Sequence, residues 1–304
     1  MRRLIVNADD SGFTQGVNRA IREAHARGVI TSTTLMANGP AFAEAVELAR
    51  SPTQLSIGCH VVLIDGIPVL PPRQIPSLAP RDSQAQFEDG LKAFAARALL
   101  GRIDPDEITA EATAQIRKLQ SAGIDVSHVD THKHTHIFPG ILKPLLRAAH
   151  ACGIRALRNP FGPRRPLRSS QLLQRPSLWT RYAEVRILRS FAQKFRETAA
   201  EQGFVTPDGT LGIEVTGILD ETLFRAISQS IPEGTWEFVC HPGYNDADLQ
   251  RARTRLKQSR ETELRVLTLP GAREVLNEEG VELISYRNLL LDQGLSVISE
   301  GKQG

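Results

Sequence analysis

Four separate stretches of this chain end a short apolar run on an ionisable side chain. Asp9 and Asp10 follow residues 4–7, His60 follows residues 55–59, Asp130 and His132 follow residues 126–129, and His241 follows residues 236–240. Carboxylates and imidazoles are the groups that hold divalent cations and move protons near neutral pH. Taken alone, Asp9-Asp10 suits a turn or a helix N-cap, with Ser11-Gly12 behind it. Adjacent carboxylates repel unless a cation sits between them or one is protonated, so at the end of a buried strand they read instead as a ligand and a base.

The densest run is His128-Val-Asp-Thr-His-Lys-His-Thr-His136. With strand periodicity its four histidines would share one face. A surface strand is the bland reading, but four imidazoles on a core strand would be expensive to leave unsatisfied, and a metal site satisfies them. Not all four can bind one ion, because a catalytic site keeps a position for water or substrate. His60 and His241 are weak signals singly and gain weight from pointing to the same place, with Pro242-Gly243 fixing a turn after His241. Cys59 and Cys240 each precede one of these histidines, so alternation turns their thiols away from the pocket as small core residues.

The elements that must position these groups alternate between strand-like and helical patterns. Strands are expected at residues 4–7, 33–36, 55–59, 126–129, 154–157, 211–215, 236–240 and 281–284. Helices are expected at 17–27, 41–50, 104–122, 139–152, 178–201, 221–231 and 261–276, several closed by glycine (Gly28, Gly123, Gly153). About eight strands separated by helices predict parallel β/α architecture, in which the carboxyl ends of the strands form the active face. No repeat or linker divides the 304 residues, so residues 1–304 are read as a single domain.

Composition is ordinary for a globular chain, at 41% hydrophobic and 23% charged residues. Aromatics supply only 5%, so the core must be mainly aliphatic. The net charge of +3 argues against nucleic acid as a partner. Three widely spaced cysteines make no disulfide framework and suit a reducing compartment. The first apolar run is too short for a signal peptide, and no stretch is apolar enough to span a bilayer, so a cytoplasmic protein is expected.

The set Asn7-Ala-Asp-Asp10, His60, His128-x-Asp-x-His-x-His-x-His136 and Cys240-His-Pro242 resembles the YdjC-like carbohydrate deacetylases from end to end of the chain. The resemblance implies an α/β fold, a distorted TIM-like barrel of mainly parallel strands, similar to the polysaccharide deacetylases. It implies one divalent metal, Mg²⁺ or Zn²⁺, bound by Asp10, His60 and His132, with Asp9 as general base and His241 as general acid. His134, His136, Asp130, Arg158, Glu214 and Tyr244 are the expected substrate contacts. Finer features resemble the hopanoid-biosynthesis-associated branch: Asp10-Ser-Gly-Phe13, Arg158-Asn-Pro-Phe-Gly162, Thr206-Pro-Asp-Gly-Thr-Leu-Gly-Ile-Glu-Val-Thr216 and His241-Pro-Gly-Tyr-Asn-Asp246. They imply an N-acetylglucosaminyl lipid as substrate, and the family leaves room for a homodimer.

A basic helical insertion is expected at about 160–205. From Arg155 to Arg196 there are eleven basic residues and one acid, Glu184. Such a helix can lie on an anionic bilayer, giving peripheral contact with the inner membrane, or can be an ordinary outer helix with solvated arginines. Competing readings are a deacetylase of soluble chito-oligosaccharides, a dinuclear phosphoesterase or amidohydrolase, and a sugar- or lipid-binding protein without activity. No Ser-centred nucleophile elbow is present, which disfavours an acyl-enzyme.

Overall fold

A computed structural model describes residues 1–50, 54–79, 86–87, 90–163 and 188–295. Seven strands form one curled sheet: β1 (Arg2–Ser11), β2 (Ser32–Leu35), β3 (Ser56–Val61), β4 (Val126–Thr131), β5 (Gly209–Leu211), β6 (Gly234–Cys240) and β7 (Val281–Ile284). The order is β4-β3-β2-β1-β6-β5, and every pairing is parallel. β1 is the longest strand and the hub. β2 takes the far half of one edge, from Asn7 to Ser11, while β7 takes the near half, from Arg2 to Ile5.

The gap between β4 and β5 is bridged by residues 155–161. Val129 N donates to Ala156 O at 3.0 Å and Arg158 N to Val129 O at 3.1 Å on one side. On the other, Leu157 N donates to Val205 O at 3.0 Å and Thr210 N to Phe161 O at 3.3 Å. The result is a distorted parallel barrel, as expected. Residues 154–157, expected as a full strand, make only two isolated bridges.

Strand alternation sorts the side chains into two environments. The outward row is apolar: Leu4, Val6 and Ala8 of β1 and Trp236, Phe238 and Cys240 of β6 pack with helix residues such as Val17, Ile21, Phe224 and Leu267. Ile57, Cys59, Val61 and Val129 do the same against Ile108, Ile116, Leu119 and Leu145. The inward row is polar and fully enclosed: Asn7 and Asp9, Ser32 and Thr34, Ser56 and His60, His128 and Asp130, and Glu237. Below it lies a small apolar floor of Ile5, Ala156, Ile284, Tyr286, Leu289 and Leu290. Burying so many polar groups is tolerable only if they satisfy one another.

Two further expectations are corrected. Residues 211–215 are not a strand: β5 ends at Leu211 and Ile213–Val215 is a short 3-10 turn after Gly212, whose φ is 96°. The helix expected over 261–276 is two helices, Gln258–Thr268 and Pro270–Glu278. Pro270 cannot continue the first and starts the second, with Leu269 forced to extended backbone before it. The expected helix over 178–201 falls partly outside the described residues, which show Ala192–Glu201 as helix. Among the described residues no helix is long and apolar enough to cross a membrane.

One helix, Pro105–Ser121, carries Glu107, Glu111 and Gln115 at four-residue spacing on one side. These grip the loop that follows β3. Gln115 pairs both backbone groups of Val62 at 2.8 and 2.7 Å, Glu111 accepts from Val69 N and Leu70 N at 2.8 and 2.9 Å, and Glu107 accepts from Ser77 N at 2.7 Å. A long irregular loop is thereby fixed beside the end of β3, where His60 stands.

Candidate active site

β1 is regular up to Ala8, and its register with β2 then slips between Ala8 and Ser11. At this bulge Asp10 takes the left-handed backbone, with φ 67°. A bulge re-aims side chains. Asp9 keeps its place in the inward row, where Asn7 Nδ2 donates to its Oδ1 at 2.9 Å. Asp10 is turned to the rim instead.

On the rim, Asp10 Oδ1 lies 3.5 Å from His60 Nε2 and 3.4 Å from His132 Nδ1, and those two nitrogens are 3.3 Å apart. Oδ1 is enclosed yet has no hydrogen-bond partner. Three donor atoms of types that bind divalent cations thus converge on one point. Oδ2 of Asp10 accepts from Arg260 Nη2 at 2.5 Å, and the buried Arg260 lies over the Phe13 ring. His60 Nδ1 is 2.7 Å from Asp130 Oδ1, a contact that holds the ring with Nε2 facing Asp10. A carboxylate behind a ligating imidazole is the usual support of a bound metal.

Beneath the rim, Arg158 is completely buried, and three carboxylates surround it. Nη1 and Nη2 donate to the two oxygens of Asp9 at 2.8 and 2.6 Å, Nη1 also meets Asp130 Oδ2 at 2.5 Å, and Nε and Nη2 donate to Glu237 Oε1 at 2.9 and 2.8 Å. Among the described residues, Asp9, Asp10, Asp130 and Glu237 therefore face two guanidinium groups, Arg158 and Arg260, in this connected network. With neutral imidazoles, four negative charges against two positive leave a deficit of two, which one divalent cation would balance.

The titration behaviour follows from this imbalance. Burial would raise the Asp9 carboxyl, but the Arg158 guanidinium outweighs it and holds Asp9 well below the usual carboxylate range. Arg260, with His132 and His60, does the same for Asp10 against its burial. Burial would lower His60, but Asp130, with Asp9 and Asp10, lifts it to about 9. A proton on His60 adds one positive charge to this network.

His241 stands at the end of β6 with Nε2 3.9 Å from Asp9 Oδ2. Its backbone N–H donates to Glu263 Oε2 at 2.6 Å, and its Nδ1 is enclosed without a partner. Burial pushes its pKa below the ordinary value, so the ring is neutral at pH 7.

The four histidines of the run do not share one strand face, which corrects the sequence expectation. β4 ends at Thr131, and the chain then turns through residues 132–137 with Lys133 and His134 both left-handed, at φ 54° and 53°. His128 stacks on Tyr286 at 3.6 Å, and Gly58 is required beside it, since a Cβ there would come within 2.5 Å of the ring. His132 reaches the rim. His136 turns inward, Nδ1 to Thr131 Oγ1 at 2.7 Å and Nε2 to Arg158 O at 3.2 Å. His134 is partly buried. Non-glycine residues held left-handed in adjacent loops are strained conformations that gather at functional sites.

Of the expected substrate contacts, Asp130, Arg158 and His136 are fully enclosed and hold other side chains. Tyr244 turns to the helix Gln15–Arg27, where its hydroxyl donates to Glu23. Glu214 is buried in the turn after β5, and burial raises its pKa. A cavity of about 660 Å³ opens beside the rim, walled by Phe13, Met36, Val62, Asp65, Ile67 and Lys133. Its lining includes Val62 and Lys133, sequence neighbours of His60 and His132, but none of Asp9, Asp10, His60, His132 or His241. Thr34 and Glu237 escaped the sequence reading although strand parity marks them, lying within β2 and four residues before His241, and Asn7 carried part of the resemblance but no role. Arg260 and Glu263 are on a helix and left no such mark.

The chain matches the YdjC-like protein family over residues 3–278. A carbohydrate deacetylase of Brevibacillus brevis is 30% identical over 290 residues, covering 94% of this chain and 99% of its own length. A carbohydrate deacetylase of Geobacillus stearothermophilus is 32% identical over 287 residues, covering 94% and 97%. A crystal structure from Enterococcus faecalis V583, named for cellobiose-phosphate cleavage, superposes with a TM-score of 0.75 at 27% identity, covering 95% of this chain and 98% of that one. The chain belongs to the YdjC-like family.

Proposed function

We propose that this chain is a metal-dependent carbohydrate N-deacetylase, with Asp10, His60 and His132 as metal ligands, Asp9 as general base and His241 as general acid. One observation carries the reading: the orphaned Asp10 Oδ1 with two imidazole nitrogens at 3.5 and 3.4 Å, directly above an arginine-held Asp9. The family and its curated carbohydrate deacetylases support the reaction class. A divalent cation held there would act as a Lewis acid towards the acetyl oxygen and acidify a water.

Asp9 is ionised throughout the neutral range and accepts the proton of the attacking water. Its low basicity lets it pass that proton across 3.9 Å to the neutral His241 Nε2. His241 delivers the proton to the amide nitrogen as the C–N bond breaks. Water and the amide are consumed, and acetate and a free amino sugar are released.

Arg158 also discriminates between readings. A second donor set, Asp9, His60 and Asp130, lies close together, but the Arg158 guanidinium already bridges its two carboxylates. That favours one cation per chain, and so deacetylation over dinuclear phosphoester chemistry. One carboxylate with two imidazoles leans to zinc or another transition metal over magnesium.

The finer reading is an N-acetylglucosaminyl substrate, lipid-linked as in the hopanoid branch, with the neighbouring cavity taking the rest of the molecule. The motifs from Arg158 to Gly162 and from His241 to Asp246 support the branch. The basic stretch supports membrane contact by composition, though residues 164–187 lie outside those described. The test is mass spectrometry of diacetylchitobiose and of an N-acetylglucosaminyl lipid after incubation with the metal-loaded protein. Loss of one acetyl, abolished in Asp9→Asn, is expected. No acetate from either substrate by a metal-loaded chain overturns the reading.

A further inference from the structure

Two buried ionisable groups lie below the residues used so far. Glu237 and Tyr286 are both fully enclosed, and neither touches the rim. Tyr286 follows β7, beyond the last residue of the family match, which ends at 278. Its hydroxyl donates to Glu237 Oε2 at 2.8 Å, while Thr210 Oγ1 donates to the same oxygen at 3.2 Å. The other oxygen, Oε1, takes both the Nε and Nη2 of Arg158. The far side of that guanidinium grips both oxygens of Asp9.

We propose that Tyr286 and Glu237 are positioning residues for Asp9, acting through Arg158. The inference rests on Asp9 as the base. A guanidinium is a rigid planar fork, so fixing its Nε edge fixes the direction of its two terminal nitrogens. Glu237 supplies that fixed edge, and Tyr286 fixes Glu237.

Tyr286 is itself set from three sides. Its ring stacks on His128 with planes 10° apart, its backbone N–H donates to Ser32 Oγ at 3.3 Å, and it opens the helix Tyr286–Leu291 behind a Ser285 capping box. The floor of the barrel is thereby connected to the reacting carboxylate by an unbroken series: phenol, carboxylate, guanidinium, carboxylate. Here the hydroxyl is spent on a carboxylate that Arg158 already shares with Asp9 and Asp130, so its removal alters the balance of pull on that guanidinium.

The experiment compares Tyr286→Phe, Glu237→Gln and the double variant with wild type, in the metal-loaded full chain on an N-acetylated substrate that wild type turns over. Tyr286→Phe keeps the stack and deletes one hydrogen bond to a charged group, so kcat should fall about tenfold with KM within about twofold. The double variant should be no slower than Glu237→Gln alone, since both act through one series. Unchanged kcat in folded Tyr286→Phe, a KM that rises as much as kcat falls, or fully additive losses in the double variant overturns the proposal. Should Tyr286→Phe not fold, Glu237→Gln alone decides by the same split of kcat from KM. Failure of Asp9 as the base would show separately, as turnover surviving in Asp9→Asn.

Discussion

Asp9 and Asp10 are neighbours in the chain and opposites in the fold. Asp9 belongs to the barrel interior, where Arg158 holds both its oxygens and ties it to Asp130 and Glu237. Asp10 belongs to the rim, where Arg260 holds one oxygen and the other is left bare towards His60 and His132. One bulge with a single left-handed residue makes the difference. Under the proposed function, identical side chains serve as a clamped proton acceptor and an open ligand because of what each oxygen can reach. By formal charge the interior sets three carboxylates against Arg158, while the rim sets Asp10 against Arg260 and leaves one Asp10 oxygen bare.

The comparison is tested most severely by Arg158→Met. Removing the cation leaves Asp9, Asp130 and Glu237 buried without it, so denaturant unfolding should register a loss of about 3–5 kcal/mol. Little loss would mean that the interior network is not as tightly coupled as its distances imply. Next is Asp9→Asn, for which kcat should fall about a thousandfold while metal affinity stays near wild type. A large loss of metal affinity instead would put Asp9 among the ligands and erase the distinction between the two regions. Asp130→Asn stands between them, because Asp130 serves Arg158 below and His60 above. It should weaken metal binding about 10–100-fold by calorimetry, as loss of a ligand's supporting carboxylate does.

The smallest effect concerns pH. His60 has its pKa raised from 6.5 to about 9 in the metal-free fold. A raised pKa contributes stability that is complete below 6.5 and is lost as pH climbs through about 9. His128 and His136 are lowered, mainly by burial, to about 3 and about 4. The unfolded chain protonates them below 6.5 while the folded chain does not, so stability also falls as pH drops below 6.5. Each titrating proton changes stability by about 1.4 kcal/mol per pH unit. Thermal unfolding of the metal-free protein should therefore peak near pH 6.5. Saturating metal should remove the alkaline decline, because it takes the position of the His60 proton. An alkaline decline that metal leaves untouched would detach His60 from the rim site.

Much of this was legible in the sequence. Strand ends delivering ionisable groups marked Asp9, Asp10, His60, His132 and His241, because parallel strands present their carboxyl ends on one face. The parallel barrel followed from the alternation of elements. Parity within the strands would also have yielded Thr34 and Glu237. The bulge at Asp10 and the left-handed pair Lys133-His134 were not legible, since they depend on packing that no local propensity reports. For the same reason the histidine run misled: periodicity assumes a strand that in fact ends at Thr131. Arg260 reaches Asp10 from a helix 250 residues away, and nothing in its local sequence announces that contact. Arg158 was marked for substrate, whereas the fold encloses it as the counter-ion of three carboxylates.

The central claim is a single cation held by Asp10, His60 and His132. It is tested most directly by calorimetric titration of the chelator-treated chain with Zn²⁺, in wild type and in Asp10→Ala, His60→Ala and His132→Ala. The account predicts one site per chain in wild type and a large loss of affinity in each variant. Undiminished binding in folded variants, or two tight sites in wild type, would contradict it.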